Sequence, residues 1–146
     1  MYLLDTNIII GILKLKQEFV KKYKEISLKS QPIYLTTYSL SEIYLGFHNP
    51  EFKQSFPKKV KIQVNLFNKM VKNLEAQKRI ISLGVEDAKI LGKLLYSLKA
   101  KGNPIPLIDA LLGAISISRK MTLITTDKAH FKALKAIENT LKVEFW

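Results

Sequence analysis

The sequence predicts a single α/β domain with a mainly parallel central sheet. The chain has 146 residues, about the length of one domain. Short apolar runs at 2–5, 33–36, 80–83 and 122–125 are separated by longer stretches of helical periodicity, the pattern of repeated strand–helix–strand units. No linker, internal repeat or low-complexity tract divides them. Hydrophobic content of 47% and charged content of 25% are ordinary for a folded domain and exclude wholesale disorder.

Each element has a local reason. Residues 2–5 read as a short buried strand, and Asp5-Thr6-Asn7 offers N-cap chemistry to a helix beginning at Ile8. Residues 15–29 are amphipathic, with Phe19, Val20, Tyr23, Ile26 and Leu28 facing inward among lysines. Gln31-Pro32 breaks that helix, and Ile33–Thr36 reads as the second strand. Leu40, Ile43, Tyr44 and Phe47 then form a helical stripe, ended by Asn49-Pro50. Val60, Val64, Phe67, Val71 and Leu74 mark a lysine-rich helix. A second stripe on it, Ile62/Leu66/Met70, is assigned to core packing, with a dimer or partner surface as the alternative.

Ile80–Leu83 is the third strand, and Glu86–Lys99 a helix closed by Gly102-Asn103-Pro104. Pro106 is placed at the first position of a nearly uncharged helix running to about Ser118. Thr122–Thr125 is the fourth strand, Lys128–Ile137 a helix, and Leu141–Phe145 an edge strand.

Composition narrows the function. The chain has no cysteine, which excludes disulfides, a thiolate zinc site and a cysteine nucleophile. No run approaches 18 apolar residues, and no basic region precedes the short N-terminal apolar run, so a cytoplasmic protein is expected. The 24 Lys+Arg against 12 Asp+Glu give a net charge of +12, which suits a polyanionic partner such as nucleic acid. A lysine-rich surface serving solubility is the plainer alternative.

The acids are more informative than the bases. Only four aspartates occur, and three of them, Asp5, Asp109 and Asp127, follow apolar runs where a free carboxylate is costly. Asp5 and Asp127 each end a predicted strand, and ligands of open α/β sheets bind at such strand ends. Glu42 lies in the first turns of the helix after strand two, and Asp109 in the first turn of its own helix, which brings both toward that edge. Gly46 and Gly113 each fall four residues further on, the same helix face, leaving room for an ion or a backbone beside the carboxylate. Each acid also has an ordinary reading: Asp5 and Asp127 as helix caps, Glu42 as a surface residue, Asp109 as a partner of the helix dipole.

Taken together the four acids constrain one another. Two carboxylates about 4 Å apart repel by roughly 4 kcal/mol at an effective dielectric near 20. Four at one edge call for a small cation, and an all-oxygen set suits Mg²⁺ or Mn²⁺ better than Zn²⁺. An acidic metal pocket inside a +12 body is the charge arrangement of a nuclease: lysines hold phosphates while the metal neutralises the one under attack.

These residues resemble the PIN domain and, within it, the VapC-type ribonuclease toxins of toxin–antitoxin pairs. The matching segments are Leu4-Asp5-Thr6-Asn7, Ser41-Glu42-Ile43-Tyr44-Leu45-Gly46, Ile108-Asp109-Ala110-Leu111-Leu112-Gly113-Ala114 and Leu123-Ile124-Thr125-Thr126-Asp127. Order, spacing and total length agree over essentially the whole chain, residues 1–146. The resemblance implies an α/β/α sandwich and an Mg²⁺- or Mn²⁺-dependent endoribonuclease acting on RNA. It implies Asp5, Glu42, Asp109 and Asp127 as catalytic metal ligands, with Thr6, Asn7 and Thr125 supporting them. It further implies a homodimer and a cognate antitoxin. Two departures stand out. Gly113 occupies a position where alanine is frequent, and the basic residues are nearly all lysine, with only Arg79 and Arg119.

Other features fit less specific readings. Lys58, Lys59, Lys61, Lys69 and Lys72 lie in a basic segment that reads either as an RNA-binding flank or as a solvated helical face. His48 and His130 are isolated in sequence and read as structural. Glu86 and Asp87 open a helix as dipole partners, with an extra active-site acid as the alternative. A haloacid-dehalogenase-like phosphatase wants a second Asp two residues after the first, and Asn7 stands there instead. A basic nucleic-acid-binding module whose acids merely cap helices is the non-enzymatic alternative.

Overall fold

A computed structural model describes residues 1–29 and 31–146. The four apolar runs become strands β1 (Tyr2–Leu4), β2 (Ile33–Thr36), β3 (Ile80–Ile81) and β4 (Thr122–Thr125), and β5 (Lys142–Phe145) follows. All five pair in parallel in the order β3-β2-β1-β4-β5, with β3 and β5 at the edges. The helices among the described residues are α1 (Thr6–Leu13), α2 (Gln17–Leu28), α3 (Thr37–His48), α4 (Pro50–Ser55), α5 (Pro57–Ala76), α6 (Val85–Ala100), α7 (Leu107–Ser118) and α8 (Lys128–Ile137). None is long and apolar enough to cross a membrane.

Strand alternation divides the core into two layers. Leu3 and Leu123 pack with Leu94, Leu98, Leu112 and Phe131, from α6, α7 and α8. Leu4 and Ile124 point the other way and pack with Ile8, Ile9, Ile43 and Phe67, from α1, α3 and α5. The result is an α/β/α sandwich. From β1 the chain moves to β2 and β3 on one side, then returns across the sheet to β4 on the other side of β1. The point where the direction of winding reverses therefore lies between β1 and β4, and ligands of open parallel sheets bind at such a point.

Several expectations need correction. The first helix starts at Thr6 rather than Ile8, so Asp5 occupies the cap position, but its side chain makes no capping hydrogen bond. Pro106 is the N-cap of α7 rather than its first residue. Asn49-Pro50 ends α3 but also opens the unanticipated α4, with the Asn49 side chain accepting from the Glu51 N–H. The strand predicted over Ile80–Leu83 is only two residues long, and Leu28 is 84% exposed rather than inward. The second stripe of α5 reaches the core only at Met70, which is half-buried against it; Ile62 and Leu66 are exposed, whereas Val60, Phe67 and Leu74 are buried. Gly113 leaves no room for an ion, because an added Cβ would lie 3.1 Å from Leu134 Cδ1; its missing side chain serves the packing of α7 on α8. The space beside Gly46 is open, as expected.

Candidate active site

The register of the central strands decides where the first and last acids fall. Leu4 pairs with Ile124, so Asp5 and Thr125 emerge side by side at the carboxyl end of the sheet. The Asp5 N–H donates to the Ile124 carbonyl at 3.0 Å, and the Thr125 hydroxyl donates to Asp5 Oδ2 at 2.6 Å. Asp5 is only 4% exposed, and Thr125 is fully buried. A buried carboxylate is thus held by the neighbouring strand rather than spent on a helix cap. Thr6, one residue on, donates its hydroxyl to Glu42 Oε2, which ties α1 to α3 across the cleft. Glu42 is itself exposed, and Asn7 is exposed on the cleft wall.

Asp127 follows β4 and is the N-cap of α8, its Oδ1 accepting from the His130 N–H at 3.0 Å. The cap reading holds for this residue, yet its second oxygen takes no part in the cap. That Oδ2 lies 2.7 Å from His130 Nδ1, and Asp109 Oδ2 lies 2.8 Å from the same nitrogen. Asp109 projects from the first turn of α7, a helix buried from Ala110 to Ser116 and therefore firmly placed. His130 Nδ1 is buried and satisfies hydrogen-bond geometry with neither carboxylate. His130, isolated in sequence, stands against two acids in the fold. An Asp at the cap and a His at the third helical position sit over one turn, and that i,i+3 spacing was the available signal.

All four acids share one electrostatic neighbourhood. Burial raises the Asp5 pKa above the usual carboxylate value, and the charges of Glu42 and Asp127 add to the rise against the opposing hydrogen bonds from Thr125 and Thr6. Burial likewise raises Asp109, with Asp5 and Asp127 adding and His130 opposing. Asp5, Glu42 and Asp109 line an open cleft of about 1050 Å³, together with Thr6, Asn7 and Gly46. His48 is exposed on the same cleft wall. Asp109 belongs both to this cleft and to the trio with Asp127 and His130, whose three donor atoms lie within 4.8 Å of one another. Such a donor set, with a buried nitrogen lacking a proper partner, fits a divalent cation.

The remaining candidates lie apart. Lys58, Lys59, Lys61, Lys69 and Lys72 are all exposed along α5, and none lines the acidic cleft. Asp87 is buried at the start of α6, accepting from the Gly84 N–H at 2.8 Å and from Arg119 Nη2 at 2.6 Å. Arg119 follows the far end of α7, so this pair sits roughly 15 Å along the helix from Asp109 and is no part of the site.

Comparison with known proteins agrees with this architecture. The chain is similar to a chain of VapBC2 from Rickettsia felis, solved bound to a DNA fragment from its promoter. That match has 24% identity and a TM-score of 0.75, covering 99% of this chain and 98% of that one. It is also similar to a chain of DNA-bound VapBC from Salmonella typhimurium, at 19% identity and a TM-score of 0.77 over 99% and 97% of the two chains. FitAcB from Neisseria gonorrhoeae matches at 24% identity and a TM-score of 0.69, over 100% and 97%. No curated protein matches significantly by sequence. The family described as PIN domain matches residues 2–137, and the chain belongs to it.

Proposed function

We propose that this chain is an Mg²⁺- or Mn²⁺-dependent endoribonuclease and the toxin of a toxin–antitoxin pair. The observation that carries the reading is the meeting of Asp5, Glu42, Asp109 and Asp127, from four separate elements, at the switch point of the sheet. Burial and mutual repulsion both disfavour so many carboxylates at one place unless a cation offsets them. Asp5, Glu42, Asp109 and Asp127 would hold a divalent ion, which would supply positive charge at the scissile phosphate and lower the pKa of the attacking water.

The chain's own residues prepare that chemistry. Thr125 fixes the Asp5 carboxylate, Thr6 orients Glu42, and the cap of α8 holds Asp127. Asn7, exposed on the cleft wall, is within the same cleft as the acids and available to the incoming strand. The exposed lysines of α5 hold flanking phosphates as point charges, outside the acidic cleft. Solved relatives are complexes named VapBC and FitAB, which favours an antitoxin as partner. A second copy of the chain beside it is part of the same proposal and rests on the sequence resemblance alone. The protein acts in the cytoplasm on this reading, as one domain.

The test is incubation of the purified protein with total RNA, with and without Mn²⁺, and mapping of the cut ends. Discrete cleavage only with the ion is expected. RNA binding without cleavage under any divalent ion would favour a basic binding module whose acids only cap and brace helices.

A further inference from the structure

The sequence pattern accounts for carboxylates at this centre but not for an imidazole between two of them. We propose that His130 Nδ1 is a protein ligand which, with Asp109 and Asp127, makes a mixed nitrogen–oxygen cation site selective for Mn²⁺ over Mg²⁺. The proposal rests on reading the acidic cluster as a metal centre, and it adds a donor and a preference to that reading.

Geometry supports it first. Adjacent donors roughly 2.1 Å from an octahedral ion lie about 3 Å apart. Nδ1 lies 2.8 Å from Asp109 Oδ2 and 2.7 Å from Asp127 Oδ2, close to two edges of such an octahedron. The nitrogen is buried, although the side chain as a whole is 36% exposed, and it makes no well-formed hydrogen bond. An imidazole serving only the fold would be expected to complete such a bond. Its placement is also enforced: the His130 N–H caps into Asp127 Oδ1, so the backbone that carries the imidazole is pinned to one of its fellow ligands. The chemistry supports it second. Imidazole suits transition ions, whereas Mg²⁺ prefers oxygen and retains its water, so one nitrogen in three protein donors tilts the site toward Mn²⁺. Asp109, shared with the cleft lined by Asp5 and Glu42, connects this ion to the rest of the centre.

The experiment is electron spin echo spectroscopy of the full chain loaded with Mn²⁺ at one and at saturating equivalents, with Mn²⁺ and Mg²⁺ affinities measured by calorimetry. Nitrogen modulation from a coordinated imidazole is expected in the unsubstituted protein and in His48→Ala, and its loss in His130→Ala. Mn²⁺ affinity should fall at least about tenfold in His130→Ala, with Mg²⁺ affinity moving much less. Because the spectrum of the unsubstituted protein is decisive by itself, a poorly folded variant does not protect the proposal. Mn²⁺ that binds and supports RNA cleavage without nitrogen modulation overturns the His130 assignment alone; the imidazole is then a counter-charge to two aspartates. Failure of Mn²⁺ to bind overturns both the assignment and the nuclease reading.

Discussion

Asp5 and Asp109 are carboxylates in places where burial and neighbouring charge resist their ionisation. Replacing either by Asn keeps the shape, removes the charge, and deprives a bound cation of a ligand. Loss of several kcal/mol of transition-state stabilisation corresponds to about a 10²–10³-fold or larger fall in RNA cleavage. Both variants should fold, and full metal-dependent cleavage by both would refute their role. A second consequence concerns the metal-free protein. Raised native pKa values mean that the folded state retains protons the unfolded chain has released, so stability falls as pH rises from the ordinary carboxylate value through the native one. In EDTA, the melting temperature of Asp5→Asn relative to the parent should therefore climb across that interval. A flat difference would show that the native carboxyl is not perturbed. The four acids were legible because aspartate is scarce in this chain and three of them follow apolar runs. His130 was legible only in part, since its i,i+3 spacing to Asp127 marks one of its two acidic neighbours and not the other. Its significance comes from Asp109, which is 21 positions away and reaches it only through tertiary packing.

At the scale of elements, α7 is a strut whose one charged residue, Asp109, lies in its first turn, with Arg119 just past its last. From there Arg119 reaches Asp87 of α6 and the Ser82 carbonyl. Burial alone would raise the Asp87 pKa, but the hydrogen bonds from Arg119 and Gly84 outweigh it and hold the carboxyl below its ordinary value. Asp87→Ala leaves a partly buried guanidinium with the Ser82 carbonyl but without its carboxylate and should cost about 2–3 kcal/mol in urea unfolding. Cleavage by the molecules that remain folded should be unchanged; a selective loss of activity would instead make Asp87 part of the site. Periodicity found most of these elements, because amphipathic stripes and proline breaks are local properties. It misplaced what depends on neighbours. Ile62 and Leu66 have core-like spacing on α5 yet no layer covers them, and Gly113 proved to be a packing contact with Leu134 rather than an opening.

The whole molecule joins a compact acidic centre to a body of net charge +12. If α5 guides RNA, replacing Lys58, Lys59 and Lys61 together by Gln should weaken binding to single-stranded RNA of any sequence. Each lost phosphate contact should reduce the log–log salt slope by about 0.7, so the triple variant loses up to roughly 2. Fluorescence anisotropy in EDTA across a salt series measures this, and an unchanged slope would assign the RNA path to another face.

The topology also bears on how the protein is made. The middle strand β1 is the first to be synthesised, but one of its two sheet neighbours, β4, begins only at Thr122. The Thr125 hydroxyl that secures Asp5 is 120 residues downstream. A growing polypeptide therefore carries Asp5 and Glu42 for most of its translation without the groups that complete their surroundings. Pairings so distant in sequence form late. Hydrolytic competence, on the proposed reading, should arrive in a single step once β4 and α8 have joined the fold, rather than building up as the chain lengthens.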